Sequence, residues 1–113
     1  MATVINLTPH DVNLYDKSGE NIVETFKSRG IARASQRIEE AGTLDGEYPL
    51  VKIIYGAPTD LPEYEKGTYY IVSSLTAEAA RCYGRVTIDL LLTAELVRNT
   101  EGQVIGCRSF AIV

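Results

Sequence analysis

Short runs of alternating apolar and polar residues dominate the first third of the chain. Residues 3–7 are rich in β-branched side chains and end at Thr8-Pro9, where the missing proline N–H stops a strand. Residues 12–15 alternate, and residues 22–26 follow the turn residues Ser18-Gly19. This pattern predicts an opening strand followed by a β-hairpin.

The middle of the chain carries the strongest hairpin signal and the longest loop. Residues 31–34 predict a short strand, whereas residues 35–42 fit either an extended segment or a helical turn. Asp45-Gly46 is typical of a tight hairpin turn, and residues 50–55 form an apolar run after it. Residues 56–67 contain two prolines and predict a loop that is long for a small domain.

The last third contains the segment with the highest β-propensity and the single predicted helix. Residues 68–73 predict a central strand because they are aromatic and β-branched. Residues 75–82 predict a helix, with Ser74 as its N-cap and Gly84 at its C-terminal end.

Two further apolar segments and a terminal hairpin follow this helix. Residues 87–92 predict a buried strand, and Glu101-Gly102 predicts a turn between residues 96–98 and 104–107. The whole pattern amounts to about eight to ten short strands with one helix. The predicted fold is therefore mainly β (α+β), an antiparallel sheet or partly closed small barrel with one short helix near 75–82, in one domain spanning 1–113.

Composition narrows the class of partner. The chain of 113 residues is 45% hydrophobic and 23% charged, which is typical of a globular domain and not of a disordered chain. Its net charge of -4 argues against broad binding to nucleic acid or to an anionic membrane. Seven of the eleven positive residues are arginine, which suits a local site for phosphate or carboxylate.

The two cysteines and the single histidine give little scope for a metal or a cofactor. Cys82 and Cys107 lie 25 positions apart without a C-x-x-C motif, which favours free thiols in a reducing compartment over a disulfide. A structural zinc site is not expected. The start of the chain lacks the pattern of a signal peptide, and the apolar runs are too short to span a membrane. We expect a soluble cytoplasmic protein without cofactors.

His10 is the first candidate for chemistry. It lies in the turn 8–11, where it would act as a general base or ligand donor tuned by Asp11, or would simply complete the turn. Ser73 or Ser74 would have to supply a nucleophile for a hydrolase. The G-x-S-x-G pattern that exposes such a serine is absent.

An arginine series is the second candidate. Arg29, Arg33 and Arg37 recur at every fourth position and would share one face of an extended chain. Such a stripe can clamp phosphate or carboxylate groups. The alternative is a solvated surface on which these arginines pair with nearby glutamates.

An ordered set of short blocks spans almost the whole chain. The blocks are Asn6-Leu7-Thr8-Pro9-His10, Gly30-Ile31-Ala32-Arg33, Tyr55-Gly56, Leu61-Pro62, residues 67–73, Val97-Arg98-Asn99 and residues 102–110. This set resembles a family of small proteins encoded by bacteriophages, prophages and related mobile elements, a family without an assigned activity. The chain departs from the pattern of that family at residues 27–30, where a Pro-Ser-Gly turn is usual, and in the more apolar segment 84–92.

The resemblance implies a phage-type origin and action in the host cytoplasm, but no reaction. By analogy of context, accessory phage proteins of this size block host defences by binding a protein or by sequestering a nucleotide signal. We therefore expect a non-enzymatic protein, forming a homo-oligomer, that binds and sequesters a small anionic, nucleotide-derived ligand. The candidate ligand-binding residues lie at strand ends and turns: Thr8, His10, Arg33, Tyr55, Tyr70, Ser73, Arg98 and Arg108.

Two other functions stay open. The acidic loop 60–65 would suit a protein inhibitor or adaptor that binds a basic host or phage enzyme. A small hydrolase using His10 is the other alternative.

Overall fold

Residues 2–113 are described by a computed structural model, which contains eight strands and one α-helix. The elements are β1 (Thr3–Asn6), β2 (Val12–Tyr15), β3 (Ile22–Phe26), β4 (Gln36–Leu44), β5 (Tyr48–Tyr55), β6 (Thr68–Ile71), α1 (Ser74–Cys82), β7 (Leu90–Arg98) and β8 (Val104–Ile112). The predicted mainly β fold with one short helix is confirmed. All three predicted hairpin turns, at Ser18-Gly19, Asp45-Gly46 and Glu101-Gly102, join strands at those positions.

Six strands form the main sheet, in the order β1-β6-β7-β8-β2-β3. The hairpins β2–β3 and β7–β8 are antiparallel, whereas β1–β6, β6–β7 and β2–β8 pair in parallel. The sheet is therefore mixed. The parallel β6–β7 pair follows from α1, because a helical crossover returns the chain to the same end of the sheet.

The two outer strands of this sheet meet at one end. Ser28, just beyond β3, bridges to Asn6 at the end of β1, and the Arg29 N–H donates to the Asn6 carbonyl at 2.8 Å. This contact closes the sheet partly into a barrel, which is one of the two arrangements that the sequence left open. We call β1–β3, β6–β8 and α1 together the barrel body.

Two apolar clusters stabilise the barrel body, one on each face of the sheet. Tyr70, Val72 and Leu90 pack against the alanines of α1, and Ile71 packs with Val12 and Cys107 on the other side. Alternation along β6 explains this division, since successive side chains point to opposite faces.

The helix begins one residue earlier than predicted. Ser73, and not Ser74, is the N-cap, and its hydroxyl accepts a hydrogen bond from the Thr76 N–H at 3.2 Å. Ser73 keeps extended backbone angles as it leaves β6, which is the conformation an N-cap requires. Gly84 has a φ of 79°, in keeping with its predicted place at the C-terminal end.

The strands β4 and β5 form a separate two-stranded sheet, which we call the arm (residues 36–55). The segment 35–42, ambiguous in the sequence, is thus mostly strand. The predicted strand at residues 31–34 is wrong in its extent, because only Arg33 is bridged, to Thr59. Thr59 lies inside the loop 56–67, where it pairs with Arg33 as an isolated bridge and no strand forms.

Candidate functional site

Three of the eight candidate ligand-binding residues line one cavity of about 340 Å³. These are Thr8, Arg33 and Ser73, and we call the cavity the Arg33 cleft. Its walls are otherwise mostly apolar, and the remaining lining residues are Leu7, Pro9, Ile31, Ala32, Ala34, Leu75 and Thr76. Residues far apart in the sequence are therefore brought together around a single positive side chain.

The cleft lies where β1 and β6 end and α1 begins. These two strands are parallel, so their carboxyl ends share one edge of the sheet, where ligands of open α/β sheets bind. The Ala32 N–H donates to the Leu7 carbonyl at 3.0 Å, and the buried Thr76 hydroxyl donates to the Ala32 carbonyl at 3.2 Å. These two bonds fix the segment that carries Arg33 against both the strand and the helix.

The electrostatics of the Arg33 cleft favour an anion. Arg33 is the only residue with a formal charge among those lining it, and the first turn of α1 contains no acidic residue. The N-terminus of a helix adds partial positive charge from its free N–H groups. Arg33 is exposed, and within residues 2–113 its guanidinium forms neither a hydrogen bond nor an ion pair.

His10 lies in a neighbouring cavity of about 330 Å³, which shares Thr8 with the cleft. Its walls come mainly from apolar residues of β2, β7 and β8, and neither a serine nor a cysteine lines it. Beside it, the Ser28 N–H and then Lys27 hold the pKa of the Asp11 carboxyl below its usual value. Asp11 therefore helps to hold residues 27–28, just beyond β3, against the turn 8–11.

The remaining candidates lie in other places. Tyr55 lines a shallow depression that adjoins the Arg33 cleft at Leu75, whereas Tyr70 is only 4% exposed and packs in the hydrophobic core. The Arg98 guanidinium donates to the Gly102 carbonyl at 2.8 Å and ties the β7–β8 hairpin together. Arg108 lies over Gly19 in the β2–β3 turn. The eight residues thus do not form one site.

The Ser73 hydroxyl is already hydrogen-bonded at the start of α1 and does not lie with His10. This hydroxyl caps α1 and donates to the Thr76 hydroxyl at 3.0 Å. It lines the Arg33 cleft and not the cavity around His10. A serine–histidine pair is therefore not assembled from these two residues.

Asn6 is a buried structural residue that was not among the residues predicted to form a site. Its side chain is 1% exposed, and its amide group donates to the carbonyls of His10 at 2.8 Å and Phe26 at 2.9 Å. Its side-chain oxygen accepts from the Thr8 N–H at 2.9 Å and the Thr8 hydroxyl at 2.6 Å. Asn6 therefore shapes the turn 8–11 and joins β1 to β3, which gives the Asn-Leu-Thr-Pro-His block a structural role.

The sequence also did not predict the buried ion pair between Arg85 and Asp89. Arg85 binds the fully buried Asp89 through two hydrogen bonds, at 2.8 and 2.9 Å, and also donates to the carbonyl of Pro62 at 2.6 Å. The i, i+4 spacing is visible in the sequence, but it signals a pair only within a helix, and these residues lie between α1 and β7. The pair fixes the loop 56–67 to the barrel body.

Within the part of the chain that is described, no group of three or more histidine, cysteine or acidic side chains is placed to hold a metal ion. The same residues include no helix with both the length and the apolar character needed to cross a membrane. No family model, no curated protein and no solved structure matches the chain.

Proposed function

We propose that this protein is a non-enzymatic binding protein that captures a small anionic ligand in the Arg33 cleft. The observation that supports it best is the isolation of Arg33, a single unpaired cation beside a helix N-terminus in a cavity without acidic residues. An arginine in such a setting binds carboxylate or phosphate oxygens through two N–H groups.

The proposal extends to a ligand that carries a ring as well as an anionic group. Leu75 separates the Arg33 cleft from the depression lined by Tyr55, and both are open to solvent. In this proposal the phosphate binds beside Arg33 and the attached nucleoside stacks on the half-buried Tyr55 ring, where stacking contributes about 1–3 kcal/mol per base. A nucleotide-derived signal, sequestered to counter host defence, is the ligand class we propose.

The test is binding of defined anions, measured by isothermal titration calorimetry and by thermal shift. Inorganic phosphate, AMP, ADP-ribose and cyclic dinucleotides are the probes. We expect at least one nucleotide to bind more tightly than phosphate alone, and Arg33→Gln to weaken that binding by roughly tenfold or more, because a charge-assisted bidentate contact is lost. Mass spectrometry of the released ligand should show it chemically unchanged.

Arg29→Gln is the matched control. Arg29 is also exposed and four positions away, but it lines a different cavity, between β1 and β3. The control should keep wild-type affinity although it changes net charge equally. Equal weakening by both variants, or no binding to any probe, would contradict the proposal.

A second candidate function is an inhibitor or adaptor that binds a basic protein, and the exposed carboxylates of the loop 60–65, at Asp60, Glu63 and Glu65, favour it. A pull-down from host lysate distinguishes the two, since a ligand-sequestering protein should recover no stoichiometric host protein. The hydrolase alternative has less support, because the cavity lined by His10 holds no serine or cysteine nucleophile.

A further inference from the structure

The arm exposes apolar side chains on both of its faces. Ile38 pairs directly with Ile53, so the two share a face, and they are 66% and 51% exposed. Leu44 and Tyr48 pair near the tip and are 53% and 60% exposed. Because positions alternate along β5, Tyr48 and Ile53 face opposite sides. Within residues 2–113 the arm is contacted at its base, where the Tyr83 hydroxyl donates to the Tyr55 carbonyl at 3.1 Å, whereas these four side chains stay exposed.

The arm also has no core of its own. No residue of 36–55 belongs to either apolar cluster of the barrel body. An isolated two-stranded ribbon is marginally stable in water, because it buries too little apolar surface. Its two outer edges, in addition, leave unpaired N–H and carbonyl groups that favour pairing with another chain.

The whole chain exposes more surface than a compact monomer of the same mass would. The chain exposes 7786 Å², whereas a compact monomer of its mass exposes about 6,100 Å². The radius of gyration is 16.9 Å, against about 13 Å for a compact domain of this length. The excess of about 1,700 Å² exceeds the roughly 800 Å² that each partner buries in a standard interface and falls within the range of obligate dimers.

We propose that the arm docks on a second copy of this chain and that the protein is an obligate homo-oligomer held together by its arms. A second copy is the partner that is always present at an equal concentration when the ribbon is synthesised, and homo-oligomers with closed symmetry are the commonest assemblies. Reciprocal docking buries both apolar faces and uses an area of obligate size on each copy. This inference is independent of ligand binding in the Arg33 cleft.

The experiment measures the mass of the full-length protein by light scattering and sedimentation velocity, over about 1 to 100 µM. The wild type should be a dimer or a larger closed oligomer. Ile38→Asp places a charge in the arm interface and should raise the dissociation constant at least tenfold. Ile38→Thr keeps a β-branched residue and should give a smaller shift in the same direction.

Ile88→Asp is the matched control, since Ile88 is 67% exposed but lies outside the arm. This variant should keep the wild-type mass across the range, while circular dichroism confirms that every variant is folded. A monomeric wild type overturns the proposal and assigns the arm to a partner of different sequence. Equal dissociation in Ile38→Asp and Ile88→Asp also overturns it.

Discussion

The barrel body and the arm are built from similar residue types but are stabilised in different ways. The body encloses two apolar clusters and joins its outer strands through Asn6 and Ser28. The arm has an extensive antiparallel ladder between β4 and β5, and its apolar residues face solvent. β-propensity and turn chemistry are therefore enough to define a ribbon, whereas burial decides which part of the chain is stable alone.

Buried polar groups mark the same difference. In the body, Asp89 is inaccessible to solvent and Asn6 nearly so, and each makes several hydrogen bonds. In the arm, the ion pair between Arg37 and Glu39 is exposed, with an N–O distance of 2.8 Å. Substitutions in the body should therefore have large effects on stability, and matched substitutions in the arm should have small ones.

The largest effect is expected at the buried ion pair. Asp89→Ala leaves the Arg85 guanidinium without its partner, and breaking a buried pair in this way costs about 3–5 kcal/mol. Arg37→Gln in the arm should cost less than about 1 kcal/mol, because exposed pairs contribute little. Urea unfolding of both variants measures these values. A loss at Asp89 no larger than the loss at Arg37 would remove the distinction between the two regions.

The next effect is expected where the barrel closes. Asn6→Ala removes the amide that donates to the His10 and Phe26 carbonyls and the oxygen that accepts from the Thr8 N–H, and we expect a loss of about 2–4 kcal/mol. Asn13→Ala, which loses exposed bonds to the Ile105 carbonyl and from the Thr25 hydroxyl, should cost about 1 kcal/mol. The same denaturation assay compares them, and a similar cost for both would show that Asn6 does not hold the closure.

One turn glycine in each region allows the two regions to be compared, with smaller expected changes in the free energy of unfolding. Gly19 in the β2–β3 turn and Gly46 in the arm have φ values of 75° and 73°, which an alanine adopts only with strain. Gly19→Ala should lower the stability of the barrel body by about 1–2 kcal/mol, because the backbone is strained and the added Cβ also meets the Arg108 guanidinium, whereas a Cβ on Gly46 meets nothing. Gly46→Ala should leave unfolding of the body within about 0.5 kcal/mol of wild type, because the arm contributes nothing to its core. An equal loss at both glycines would indicate that the arm and the body unfold as one unit.

The smallest effect concerns acid stability. Hydrogen bonds from the Ser18 hydroxyl and then the Asn21 amide hold the pKa of Asp16 well below its usual value. Since the folded pKa lies below the unfolded one, this contribution is present above about pH 4 and is lost as the pH falls. Asp16→Asn should therefore be less stable than wild type at pH 7, with the difference shrinking toward pH 2. Asn21→Ala should show part of this change, and a constant difference across the pH range would contradict the assignment.

Local signals predicted most of the fold. The turns at Ser18-Gly19, Asp45-Gly46 and Glu101-Gly102 follow from alternation and turn chemistry, and the helix near 75–82 follows from its alanines and capping residues. Closure of the sheet depends on the bridge between Asn6 and Ser28, which no local pattern shows. The β4 strand was ambiguous because Glu39, Glu40 and Ala41 favour helix, and pairing with β5 overrides that preference. The hydrophobic pattern of residues 36–55 did not predict that the arm is exposed, because apolar residues in a strand give the same pattern whether they face a core or a partner.

The candidate site was less predictable, because it depends on long-range contacts. Thr8, Arg33 and Ser73 meet only through the parallel pairing of β1 and β6 and the helix that follows. Arg98 and Arg108 carry the same charge but lie elsewhere, Arg98 bonded to the Gly102 carbonyl and Arg108 over Gly19, outside the cleft. Residue type therefore identified arginine as the right chemistry, and topology selected which arginine is free to use it.

The long-range pairing of β2 with β8 sets the order in which the chain acquires its structure. Asn13 and Ile105, which are hydrogen-bonded in the folded protein, lie 92 positions apart. During translation the pairing of β2 with β8 must wait for nearly the entire chain, whereas the hairpins β2–β3 and β4–β5 need only neighbouring residues. The apolar residues of the arm thus leave the ribosome before the barrel body can close.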